Sequence, residues 1–171
     1  MAIWQFSLYL IPKGSMRRMF KDAPSKLSRD VAEDTPWWAG YQPKKGFEDA
    51  ISQILPESPS WSKSMRIWGV ERGNSIMVLY LTEEKNEVEE IEIRIDASNL
   101  LTDFVAGICR WATGLDCIAR TKTYEVVRPV YFAVQEAIVN SRAMRFIEDP
   151  EGVLQSLKDD EFEPNGDLKK T

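Results

Sequence analysis

Apolar and polar positions alternate from Trp4 to Leu10, with Trp4, Phe6, Leu8 and Leu10 on one side and Gln5, Ser7 and Tyr9 on the other. That period of two predicts a first strand, ended by Pro12-Lys13-Gly14. The period returns in Met65–Glu71 and Ser75–Leu81, which Arg72-Gly73-Asn74 joins as a short hairpin connection. In the second of these, Ile76, Val78 and Tyr80 share one face and Met77, Leu79 and Leu81 the other, the pattern of a central strand. A third run ends in Ile91, Ile93 and Ile95 against Glu90, Glu92, Arg94 and Asp96, one face buried and one solvated. Residues 65–96 therefore predict a three-stranded antiparallel meander.

Helical spacing takes over at once. Leu100, Leu101, Phe104, Val105, Ile108, Trp111 and Ala112 form a broad apolar stripe, with Asp96 or Ser98 placed to cap its start and Gly114 its end. Phe47, Ala50, Ile51, Ile54 and Leu55 predict a shorter helix closed by Pro56. Val130, Val134, Ala137 and Ile138 predict another, with Pro129 in its first turn. Asp149-Pro150-Glu151 starts a last one, docked by Val153, Leu154 and Leu157. Leu115–Arg120 reads as a further strand, and residues 15–45, broken by Pro24, Pro36, Gly40 and Pro43, as a long irregular connection holding one short helix. The fold class expected is α+β: a mostly antiparallel sheet of about five strands covered by helices on one face. A single domain is expected over residues 1–157, followed by a charged, disordered tail over 158–171.

At 171 residues and 43% hydrophobic, the chain is long enough for one respectable core. The formal net charge of -5 speaks against a nucleic-acid backbone as partner and favours a basic protein. Two cysteines, Cys109 and Cys117, are too few for a disulfide framework, and no signal-peptide pattern opens the chain, so a reducing cytoplasm is expected. The apolar start, interrupted by Gln5 and Ser7, falls far short of the ~20 residues of a membrane span, so no membrane partner is expected.

The chain contains no histidine. A Cys-His nucleophile is therefore impossible, and both thiols read as core residues. Zinc would have to be held by two cysteines and carboxylates alone; magnesium on Asp96, Asp103 or Asp116 stays open, although carboxylates at such strand ends and helix starts are more often caps. Ser60-Trp61-Ser62-Lys63 has the S-x-x-K spacing that lets a lysine activate a serine, but it sits in a Pro-Ser turn without companion motifs. A histidine-independent hydrolase using carboxylates or that Ser-Lys pair is one alternative, and a structural or phage-derived assembly protein another. No cofactor is expected.

Two features bear on binding instead. Glu83, Glu84, Glu87, Glu89, Glu90 and Glu92 crowd into ten residues, either a solvated sheet face or an acidic surface for a basic partner. Of six tryptophans, Trp4, Trp68 and Trp111 fall in core patterns, whereas Trp37, Trp38 and Trp61 lie in proline-rich connections where each either anchors an interface or pins its loop. Arg94 and Asp96 share a strand face, where they pair with each other or with Arg66 and Glu71.

In the order of its elements the chain resembles small bacterial proteins of the immunity type, which protect a cell from a polymorphic or contact-delivered toxin. The resemblance is carried by the start WQFSLYLIPKG, by Trp37-Trp38, by Ser60-Trp61-Ser62 with Ile67-Trp68-Gly69, by Glu92-Ile93-Arg94-Ile95-Asp96, and by Ser141-Arg142-Ala143 with Phe146 and Asp149-Pro150. It spans roughly residues 1–157. It implies cytoplasmic, tight binding to a cognate toxin domain with no catalysis by this chain, and the acidic run together with Trp37, Trp38 and Trp61 is the surface expected to meet the partner.

Overall fold

The computed structural model describes residues 3–70 and 72–158, with side chains as far as Gln155. The ionic role expected of Glu71, the docking of Leu157 and the tail beyond residue 158 lie outside the described residues. Among these residues seven strands form one sheet: β1 (Gln5–Pro12), β2 (Glu57–Ser58), β3 (Met65–Gly69), β4 (Ser75–Tyr80), β5 (Val88–Asp96), β6 (Cys117–Thr121) and β7 (Val126–Val127). Their order across the sheet is β2-β3-β4-β5-β1-β6-β7, and every neighbouring pair is antiparallel. The predicted meander is β3-β4-β5. The two strands beyond the expected five are β2 and β7, each two residues long and so too short to carry a periodic signal.

Among the described residues seven α-helices accompany the sheet: α1 (Lys13–Met19), α2 (Arg29–Asp34), α3 (Phe47–Ser52), α4 (Thr102–Gly114), α5 (Tyr131–Val139), α6 (Arg142–Glu148) and α7 (Pro150–Lys158). Strands β5 and β6 both run antiparallel to β1 and hence parallel to each other, so α4 is the crossover of a β-α-β unit with β1 inserted in its middle. This is why β1, at the start of the chain, lies inside the sheet.

Register aligns the apolar face. Phe6 lies opposite Ile95, Leu8 opposite Ile93, Ile76 opposite Ile93, Val78 opposite Ile91 and Trp68 opposite Ile76, and all of them are buried. Burying each isoleucine contributes about 2 kcal/mol of transfer free energy. Helix α3 reaches this face through Ser52, whose Oγ accepts the Trp68 indole N–H at 3.0 Å. Helix α4 turns Phe104, Val105, Ile108, Trp111 and Ala112 inward and packs beside it, Ile54 lying 3.7 Å from where a Cβ on Gly107 would stand.

Several local expectations shift. Asp96 caps not α4 but a 3-10 turn, Ala97–Asn99, by accepting the Ser98 N–H at 2.9 Å; α4 starts after Leu101 without a side-chain cap. Pro129 lies two residues before α5 rather than in its first turn. The connection over residues 15–45 holds α2 and the end of α1, because Pro12 introduces a helix instead of a loop and Ser28 caps a second one. On α7, Leu154 is exposed. Trp68 and Trp111 are buried as expected, whereas Trp4 is only half-buried. Among the described residues no helix is long and apolar enough to cross a membrane.

Candidate functional site

The second face of the sheet carries the polar positions, and it is less solvated than alternation predicts. Ser7 and Glu92 are 3% and 4% exposed, so the glutamate expected on a solvated surface is buried. Ser7 Oγ donates to Glu92 Oε1 at 2.9 Å, Tyr9 OH donates to the same oxygen at 3.3 Å, and Arg94 Nη2 donates to Oε2 at 2.9 Å. Neighbouring long side chains cover a short polar core, and Glu92 is held by three donors as a buried carboxylate must be. Arg94 thus pairs with Glu92 rather than with Asp96, and Arg66 binds elsewhere: it grips Glu57 through Nε and Nη2, both at 2.8 Å, and Glu48 through Nη1 at 2.7 Å.

Next to this network, Tyr9 pairs in register with Arg120. The Arg120 guanidinium sits 4.0 Å from the Tyr9 ring centre and 5.9 Å from that of Tyr124, and its nearest carboxylate, Glu90, is 4.0 Å away. The residue is 7% exposed, so cation–π contacts compensate much of its burial. Burial and the neighbouring Glu92 and Glu90 charges raise the Tyr9 hydroxyl above its ordinary range, keeping it a donor. Burial also lifts the Glu90 carboxyl, with Arg120 pulling the other way.

Tyr9 and Arg120 open onto a cleft of about 290 Å³ at the end of the sheet where β1 and β4 finish and β5 begins, beside α2. Trp37, Trp38, Leu79, Leu81 and Val88 form its walls, and Glu33, Asp34, Glu89 and Glu90 its acidic lining. Local sequence builds each part. A register shift at Leu79/Tyr80 splays β4 and β5 as they enter the acidic turn. Trp37 folds back on α2, donating its indole N–H to Ala32 O at 3.2 Å. Gln42 then fastens the tryptophan loop to β5: its Nε2 donates to Trp38 O (2.8 Å) and Val88 O (3.0 Å), and its Oε1 accepts Val88 N–H at 2.6 Å. Glu33 is occupied by Tyr124 OH at 2.6 Å and Arg29 Nε at 3.0 Å, which hold its carboxyl below the usual range.

The sequence-derived binding residues divide three ways. Trp37 and Trp38 are 7% and 2% exposed, so they pin their loop into the core, and both line the cleft. Trp61 is 88% exposed, and Glu83, Glu84, Glu87 and Glu89 are exposed too, whereas Glu90 is half-buried in the cleft and Glu92 is buried outside it. The cleft thus joins Glu89 and Glu90 to Trp37 and Trp38, two groups fifty residues apart in the chain. Tyr9, Glu33, Asp34 and Arg120 were not singled out by pattern; their only sequence signal is a polar residue on an otherwise apolar strand or at a helix end.

Other candidates have separate partners. Ser60 Oγ donates to Ser62 O at 2.9 Å, while the Lys63 ammonium, 84% exposed, faces Glu83 at 3.9 Å. Asp96 caps Ser98, and Asp116 pairs with Lys13 at 3.2 Å and Arg17 at 3.5 Å. Among the described residues no three cysteine or carboxylate side chains gather as a metal site. Both cysteines are buried free thiols, pushed up to about 11 at Cys109 and about 12 at Cys117, chiefly by burial. Comparison with protein-family models, curated proteins and solved structures found no match to this chain.

Proposed function

We propose that this chain is a protein-binding module of the immunity type, which neutralises a bacterial toxin domain by holding a basic surface of it against the cleft and the adjoining acidic turn. The observation that carries this reading is that the exposed acids Glu83, Glu84, Glu87 and Glu89 run directly into a cleft whose lining adds Asp34 and Glu90. An acidic field around a preformed concavity accelerates encounter with a cationic surface and rejects anionic ones. The walls supply apolar and aromatic area, the kind that anchors interfaces, with Leu81 exposed and Trp37, Trp38 and Val88 largely covered in the free protein. The exposed Trp61 follows the β2 edge of the same sheet and adds a second contact.

Co-expression of the tagged chain with the product of the neighbouring reading frame tests the reading. The expected result is a stable complex and rescue of growth from that product's toxicity. A monodisperse protein that neither retains the product nor protects the cell contradicts it.

A further inference from the structure

The geometry points to the cleft as a socket for one basic residue, Lys or Arg, of an extended peptide segment of the partner; this rests on the protein-binding reading and specifies what enters. At about 290 Å³ the space lies at the lower bound of small-molecule sites and suits a single long side chain. Its charge is acidic where the groups remain open to a ligand. Glu33 is engaged by Tyr124 and Arg29, while Arg120 keeps its charge against two tyrosine rings, so Asp34, Glu89 and Glu90 outnumber one cation in the lining. Glu90 in particular has its nearest cation at 4.0 Å, beyond hydrogen-bonding distance, so an arriving ammonium or guanidinium supplies what Arg120 does not.

A second observation narrows the ligand further. Two residues of the lining that are more than nine-tenths buried keep an N–H without an acceptor, Trp38 at Nε1 and Arg120 at Nε. A bare divalent cation would answer the carboxylates and leave these donors unmet. A small carboxylate would do the reverse and be repelled by the lining. A basic peptide residue brings both groups at once, a cationic head for the acids and main-chain carbonyls for the donors, with an aliphatic stem to lie along Leu79, Leu81 and Val88. Both nitrogens are covered in the free protein, so an acceptor reaches either one only as its side chain turns. Because Trp38 lines the cleft, a side chain seated there is expected to move its indole signal.

The test is a titration of the ¹⁵N-labelled full chain with the blocked tripeptide acetyl-Gly-Arg-Gly-amide, its Glu counterpart and magnesium chloride, following the tryptophan indole N–H resonances. The arginine peptide is expected to shift Trp38 while leaving the exposed Trp61 in place, and the other two probes to shift neither. Glu89→Gln/Glu90→Gln should raise the dissociation constant about fivefold. The equal charge change Glu136→Gln/Glu148→Gln, on exposed positions of α5 and α6, should leave it unaltered. Asp34→Asn repeats the test at an exposed position at the end of α2. Equal shifts from the Glu peptide or magnesium, an unmoved Trp38, or equal weakening by the distant variant each overturn the socket. A toxin partner bound equally by wild type and Glu89→Gln/Glu90→Gln overturns it too, yet leaves the protein-binding reading standing. An arginine peptide that moves Trp38 when no partner is retained upholds the socket and removes the immunity reading.

Discussion

Glu92 shows how much a single side chain depends on its neighbours in space. The period of two places it correctly on the polar face, but its burial comes from Ser7, Tyr9 and Arg94, and the first two lie more than eighty residues away. Replacing it by leucine removes the charge and strands Arg94, whose side chain is 17% exposed, so Glu92→Leu should destabilise the fold by about 3 kcal/mol in urea denaturation. A loss below 0.5 kcal/mol would mean that the network is solvated. The cysteines present the opposite case, because their core role is legible in the sequence. With thiols pushed up to about 11 and 12 by burial, both should stay unreactive to a thiol reagent at pH 8 in the native protein and react only on denaturation. Rapid native labelling of either would contradict their burial.

Among the elements, those with a periodic pattern or a marked start are legible in the sequence: β1, the β3-β4-β5 meander, β6, α3, α4, α5 and α7. Strands β2 and β7 escaped because two residues make no period, and α1 because Pro12 reads equally as a strand stop and a helix start. The β3–β4 connection rests on Gly69, whose φ of +93° is one that other residues rarely adopt and where a Cβ would lie 2.2 Å from Asn74 O. Gly69→Ala should therefore cost about 2 kcal/mol or more, measured by thermal or chemical denaturation. On the same strand, Arg66 ties β3 to both β2 and α3 and holds the Glu57 carboxyl below its ordinary range. A depressed folded pKa contributes stability above the unfolded value of about 4.3 and loses it as the pH falls through the folded value. Arg66→Leu should accordingly cost about 1 kcal/mol at pH 7, since these side chains are partly solvated, and less at pH 3. An equal cost at both would assign Arg66 a packing role against Trp68, 4.7 Å from its guanidinium, in place of an ionic one.

For the molecule as a whole, α+β architecture followed from alternation and helical spacing, while the cleft did not, since its parts come from β1, α2, the tryptophan loop, β4, β5 and β6. What was legible was its chemistry in two separate pieces, an acidic run and a tryptophan pair. What joins them is Gln42, an unremarked side chain whose three hydrogen bonds to Trp38 and Val88 exist only in the folded chain. The central claim is that this acidic, aromatic-walled cleft recognises a cationic protein surface. It is tested through the association rate of the partner proposed above, measured by stopped flow against ionic strength for wild type and for Asp34→Lys/Glu89→Lys. The double reversal should slow association by about tenfold or more at low salt and flatten the salt dependence. A rate and salt slope unchanged from wild type would place the partner on another surface.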